Sequence, residues 1–251
     1  MRVLAIETAT PTASVAIVDG SGVLAESTIR APMRHLEWLL PAAAGLLRGL
    51  GWGPEHIEAV AVSRGPGGFT GLRIGIATAC GWARTRGVPL LGIGTLEALA
   101  AAAATGGLVL PVLDAHRGEV ACGLYRAHED GTVMCLLEPL VATPAAAGAE
   151  VAGALRIERL AAGRPEPDAA EPVLLVGDGL LRHGDPLREL LGARARIGGP
   201  HLHPRAAAVG ILARPRLLRG EHDDPHLLLP VYGRRPAVRI WQETPERTGS
   251  G

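Results

Sequence analysis

Between the apolar run Ala59-Val60-Ala61-Val62 and a segment with helical spacing, Gly71 to Arg86, lies a loop dense in glycine, Arg64-Gly65-Pro66-Gly67-Gly68-Phe69-Thr70. The run reads as a buried strand, and strand, loop and helix follow in that order. Glycine has no Cβ, so such a loop belongs where backbone must approach something closely or take a positive φ. Two readings stand open. Glycines between a strand and a helix N-terminus can turn backbone N–H groups toward an anion, which makes Gly65, Pro66, Gly67, Gly68, Thr70 and Arg73 a candidate phosphate loop. A tight turn needing positive φ accounts for the same residues, and the spacing is neither G-x-x-x-x-G-K-[ST] nor a dinucleotide G-x-G-x-x-G. Within the helix, Gly71, Gly75, Ala79 and Ala83 fall on one stripe narrow enough for close approach, either by a partner helix or by the chain itself.

The rest of the chain supplies the context of that loop. Val3-Leu4-Ala5-Ile6, Ser14 to Val18 and Gly22 to Ala25 are β-like runs joined by short loops, as in an antiparallel meander. From Met33 to Leu50, Leu36, Leu39, Leu40, Ala43, Leu46, Leu47 and Leu50 recur at helical spacing, with Pro41 expected to kink or divide the helix and Gly51 and Gly53 to stop it. Pro89 to Ile93 reads as a further buried strand, and Thr95 can cap an Ala-rich helix, Leu96 to Ala104. That completes a βββαβαβα unit. Strand patterns then return at Leu108 to Asp114, Val120 to Arg126 and Thr132 to Leu140, with a turn at His116-Arg117-Gly118, so an internal repeat is implied. Thr143 to Pro172, biased to Ala, Gly, Pro and Glu, reads as surface helix and loop rather than core. Val173 to Val176 reads as a parallel strand ending in Gly177-Asp178-Gly179, Pro204 to Leu218 as a helix kinked or ended near Pro215, and Leu227 to Tyr232 as an extended anchor. The expected division is a first lobe over 1–105, a second over 106–203, a helix at about 204–220 packing back on the first, and a mobile tail over 233–251.

Composition narrows the chemistry. At 251 residues, one large domain or two compact lobes is expected, and 47% hydrophobic against 20% charged residues is the balance of a folded chain. All 25 basic residues are arginine, which removes a Walker A lysine, a Schiff base and a Ser-Lys dyad. They are matched by 25 acidic residues, and aromatics are 3%, a poor basis for an autonomous DNA or RNA binder. Cys80, Cys122 and Cys135 are widely spaced, so neither a disulfide framework nor a zinc knuckle is expected, and reduced thiols in the cytoplasm are the plain reading. No signal peptide is expected at Met1 to Glu7, nor a membrane span in the uncharged run Ala98 to Leu113. His201-Leu202-His203 and the proline-broken loop His222 to His226 lack helical ligand spacing, so no metal site is expected. Ser14, Ser21 and Ser63 lack a nucleophile-elbow setting.

Taken together, Ile6-Glu7-Thr8-Ala9-Thr10, the block Arg64 to Ala79, Asp114-Ala115-His116-Arg117-Gly118-Glu119-Val120 and Leu229-Pro230-Val231-Tyr232 resemble the TsaB (YeaZ-type) family of the bacterial machinery that installs threonylcarbamoyladenosine in tRNA. The resemblance runs from about Arg2 to Arg234. It implies an α/β actin-like ATPase (ASKHA) fold of two related lobes. It also implies a non-catalytic role as partner of TsaD, a paralogue that carries the metal, with the TsaE ATPase and tRNA reached through the complex. An adenine nucleotide in the complex and a homodimer in isolation are part of that implication, and neither membrane nor DNA is. TsaD-type enzymes carry an H-x-x-x-H pair on the helix that here reads Leu96 to Ala104, which has no such ligands. The two first-lobe helices form the family's contact with TsaD or with a second copy, which maps to Leu36, Leu39, Leu40, Ala43 and Leu47 and to Gly71, Leu72, Gly75, Ile76, Ala79 and Ala83. Actin-like ATPases place a phosphate loop at the first hairpin, where this chain has Glu7-Thr8-Ala9-Thr10 with alanine in the glycine slot. Glu7, Thr8, Asp114 and Arg117 are thus candidate cleft residues, although for Asp114 and Arg117 an ordinary hairpin with a solvated ion pair explains the pattern as well. The rival reading is an actin-like ATP-dependent transferase or metallopeptidase acting alone, with Glu7, Asp114 and Asp178 converging.

Overall fold

The structure, a computed structural model, describes residues 1–30, 34–103, 106–161, 171–198 and 203–233. The segment expected as a tail lies outside the described residues beyond Gly233, as does His201.

The first sheet has the order β3-β2-β1-β4-β5. Strands β1 (Val3–Glu7), β2 (Thr12–Asp19) and β3 (Gly22–Arg30) form an antiparallel meander, and β4 (Ala59–Gly65) and β5 (Leu90–Gly94) extend it in parallel. The second sheet, of β6 (Gly107–Asp114), β7 (Val120–Ala127), β8 (Val133–Ala142), β9 (Val173–Val176) and β10 (Ala195–Ile197), has the order β10-β9-β6-β7-β8. Read from its other edge this is the first sheet again, with the same antiparallel and parallel pairings. Helices follow the same rhythm: α1 (His35–Gly49), α2 (Phe69–Arg86) and α3 (Thr95–Ala103) in the first half, α4 (Pro144–Ala161), α5 (Leu180–Leu191) and α6 (Ala206–Leu218) in the second. A duplicated βββαβαβα unit of this topology is the actin-like ATPase fold.

Central strand β1 is buried at every residue because both faces are covered. On one face α1 and α2 set Leu39, Ala43, Leu47, Ile76, Ala79 and Ala83 against Leu4, Ile6, Val60 and Val62. On the other lies α6, whose Ala206, Val209 and Ala213 join Val3, Ala5, Val18 and Ala61. Helix α3 in turn sends Leu96, Leu99 and Ala103 into the second sheet among Val109, Leu113 and Tyr125. Each half thus lends its last helix to the joint between the sheets. The Ser14 hydroxyl on β2 accepts the Ala206 N–H (2.7 Å), which caps α6 from a strand far away in sequence.

Three local expectations are corrected. Helix α1 is not divided at Pro41 and α6 does not end at Pro215, because each proline lies on an exposed face while the opposite face is anchored in the core. The carbonyl that each leaves unbonded is then one that water can satisfy. The segment after Thr143 is not merely surface: α4 buries Ala147, Val151 and Leu155 against β6, β7 and β9. Its small residues let the helix lie close to the sheet, although their composition alone reads as surface helix and loop.

Candidate functional site between the lobes

The glycine block is explained, position by position, by the chain itself. Gly65 has a φ of +116°, and a Cβ there would lie 2.0 Å from the Val231 carbonyl oxygen. At Gly67 a Cβ would fall 2.6 Å from both the Cβ and the carbonyl oxygen of Ala9. The neighbouring Gly68 N–H donates to that same Ala9 carbonyl (2.7 Å). A Cβ on Gly71 would meet the Thr8 carbonyl at 2.1 Å, and one on Gly75 would meet the Thr8 hydroxyl at 2.2 Å. The block therefore seats the Thr8-Ala9-Thr10 hairpin against the start of α2. This corrects the expectation of a partner-facing stripe: Gly71, Gly75, Ala79 and Ala83, with Leu72 and Ile76, are buried inside the chain. Leu39, Ala43 and Leu47 on α1 are buried as well. Of the expected contact residues, Leu36 and Leu40 remain open, at 69% and 54% exposure.

The hairpin and the loop form one wall of a cleft of about 490 Å³, and the second lobe forms the other. Thr8, Gly67, Gly68 and Thr70 face Asp114 across it. Arg117 is not among the lining residues; it holds a φ of +55° in the turn after β6, beside His116 at +60°. Gly65 and Pro66 lie behind the wall, and Arg73 turns away, its guanidinium over the Phe69 ring (3.8 Å) and its Nε donating to the Tyr232 hydroxyl (3.0 Å).

The cleft adds Arg30, His35, Arg182 and His203, and of the three carboxylates expected to converge it brings Asp114 and Asp178 together while Glu7 is not among the lining residues. Asp178 had a signal, since Gly177-Asp178-Gly179 after β9 stands where the glycine loop stands after β4. Its carboxylate accepts the Asp114 N–H (3.2 Å). Burial raises its pKa, opposed by that N–H and by His203; burial lowers the His203 pKa, opposed by Asp178 and reinforced by Arg30. Asp114 itself accepts the His116 N–H (2.8 Å) and a bond from Arg182 Nη1 (3.1 Å). Among the described residues no three His, Cys, Asp or Glu side chains gather as they would around a metal ion. No helix among them is long and apolar enough to cross a membrane.

Glu7 lies at the end of β1, fully buried. Its Oε1 accepts the Ala9 N–H (2.6 Å), bracing the hairpin from below, and its Oε2 has no partner. Burial pushes its pKa up to about 7, opposed by the Ala9 N–H and the neighbouring Ser63 hydroxyl. In the unfolded chain the group ionises near 4.5. The folded state therefore holds the extra proton between these values, and stability falls as pH rises through that window, by about 3 kcal/mol in all. Glu7→Gln keeps the acceptor and removes the charge. It is expected to match the parent at pH 4.5 and to exceed it by several degrees in Tm at pH 8.5; parallel melting curves at both pH values would refute this account of Glu7.

Comparison with known proteins agrees with this architecture. The family model described as TsaD, tRNA N6-adenosine threonylcarbamoyltransferase, matches residues 5–240. The tRNA threonylcarbamoyladenosine biosynthesis protein TsaB of Bacillus subtilis (strain 168) is 31% identical over 234 residues, covering 92% of this chain and 93% of the relative. The TsaB protein of Escherichia coli (strain K12) is 40% identical over 136 residues, covering 52% of this chain and 58% of the relative. A crystal structure from Pseudomonas aeruginosa, described as similar to peptidase YEAZ, superposes with a TM-score of 0.74 at 30% identity, covering 93% of this chain and 99% of that one. By sequence along nearly its whole length and by fold, the chain belongs to the TsaB/YeaZ-type family.

Proposed function

We propose that this chain takes part in threonylcarbamoyladenosine synthesis as a non-catalytic accessory subunit, one that binds a TsaD-type transferase and activates it. The reaction served is threonylcarbamoyl transfer to the adenosine next to the anticodon of ANN-decoding tRNAs. The observation that carries this reading is α3. Where the resemblance puts a metal-binding H-x-x-x-H pair, this helix has Leu96, Leu99, Ala100 and Ala103 packed into the second lobe. Its one acidic side chain, Glu97, is paired with Arg216 of α6. The helix is joint rather than reaction centre. The TsaE ATPase and tRNA are reached through the complex, an adenine nucleotide is held in the complex, and in isolation the chain pairs with a second copy of itself.

The face supporting this reading is the outer side of α1, where Leu36 and Leu40 are exposed. Open leucines one turn apart on a helix form an apolar patch suited to a partner helix. An enzyme acting alone fares less well: Glu7 is sealed beneath the hairpin and Asp114 is bonded to Arg182. Titration calorimetry of the chain with a TsaD-type transferase tests the proposal. Saturable one-to-one binding is expected; no heat and no co-elution at tens of micromolar would overturn it.

A further inference from the structure

The chain after α6 does more than end the fold. Its course begins along the first sheet, where the Asp223 N–H donates to the Leu90 carbonyl and the Asp223 carboxylate accepts the Gly92 N–H, both at 2.7 Å. From Leu227 onward it is alternating: Leu228 is buried in the first-lobe core, whereas Leu227, Leu229 and Val231 face outward. The Val231 N–H then donates to the Arg64 carbonyl (2.6 Å), at the crossing where Gly65 has no room for a Cβ. Tyr232 stacks on Phe69 with ring centroids 5.1 Å apart and takes the hydrogen bond from Arg73. Gly233 follows at a φ of +64°, and a Cβ there would lie 2.7 Å from Val141 Cγ2 of β8 and 3.4 Å from Pro66 Cβ. Within three residues the strap thus touches the glycine loop and α2 of the first lobe and the edge strand of the second.

We propose that Leu228–Gly233 is an interlobe clasp, which ties the loop and first turn of α2 to β8 and thereby sets the width of the cleft. The loop stands between the two: Gly67, Gly68 and Phe69 line the cleft, while Gly65 and Pro66 meet the strap. Opening the cleft at this wall requires the Tyr232–Phe69 stack or the Gly233–Val141 contact to part. Anything that seats in the cleft and moves the loop is therefore read out at the C-terminal strap, and the reverse holds by linkage.

Hydrogen–deuterium exchange on the full chain tests this. In Tyr232→Ala, the hydrogen-bonded amides of Gly68 and Leu72 and the amides at 140–142 are expected to exchange together, about tenfold faster than in the parent, from loss of one ring stack and one hydrogen bond. Central strands β1 and β6 stay unchanged. Tyr232→Phe keeps the stack and gives a smaller rise at both places, and Gly233→Val, which removes the second-lobe contact by steric clash, raises exchange at 140–142 and at the strap. Faster exchange confined to Gly68, Leu72 and the strap in all three variants would overturn the clasp, as would no change in any of them.

Discussion

Replacing Gly75 with leucine is expected to destroy the fold itself rather than to yield a folded monomer that has lost a partner. The Cβ alone would sit 2.2 Å from the Thr8 hydroxyl, and at Gly71 it would sit 2.1 Å from the Thr8 carbonyl. Neither helix nor hairpin can yield freely: α2 is held on β4 through Leu72 and Ile76, and the hairpin is held by Glu7 and by the Ala9–Gly68 hydrogen bond. A leucine at Gly75 must displace the buried Thr8 and Ile6 side chains as well as accommodate its own branches, overpacking of the severe class, on the order of 4 kcal/mol or more. The control lies on the same helix. A Cβ added at Gly81 would meet nothing within 4 Å, so Gly81→Ala gains helix propensity and raises stability by about 0.5–1 kcal/mol. Thermal melts decide the matter. A Gly75→Leu protein with the parent's Tm would mean that the stripe faces outward after all.

The second large effect falls on association and spares stability. Leu36→Asp with Leu40→Asp places charge on two exposed positions, so the Tm is expected to stay within a degree or two of the parent. At the centre of the proposed helix-to-helix contact the same charges are desolvated. Affinity for the TsaD-type transferase is then expected to fall about 100-fold or more, as for truncation of an interface anchor. Calorimetry against the parent measures the loss. Unchanged affinity would move the contact away from α1.

The duplicated architecture was legible in the residues because each half repeats a local pattern, three strands and then alternating helices and strands, and local pattern is what periodicity reports. The glycine block was legible as a place, between β4 and α2, but not in its meaning. Its contacts are Thr8, Ala9 and Val231, which are far apart in the chain, and a glycine excluded by a phosphate looks the same in sequence as one excluded by a carbonyl. The small stripe on α2 had the same ambiguity: spacing shows that something packs close, not what. Pro41 and Pro215 do not break their helices, because the cost of a proline in a helix depends on which face it occupies. The cleft residues Asp178 and His203 come together only when β9 and the segment before α6 meet, so no local signal joined them. Ser14, which lacks a nucleophile's setting, is the cap of α6, a role visible only once two distant elements touch.

On the proposed reading, this chain serves threonylcarbamoyl transfer without performing it. The most direct measurement supplies threonylcarbamoyl-AMP and an ANN-decoding tRNA to three samples: this chain alone, a TsaD-type transferase alone, and the two mixed. Multiple turnover is expected in the mixture only. Transfer by this chain alone would contradict it, and would direct the search for a reaction centre to the cleft between Thr8 and Asp178.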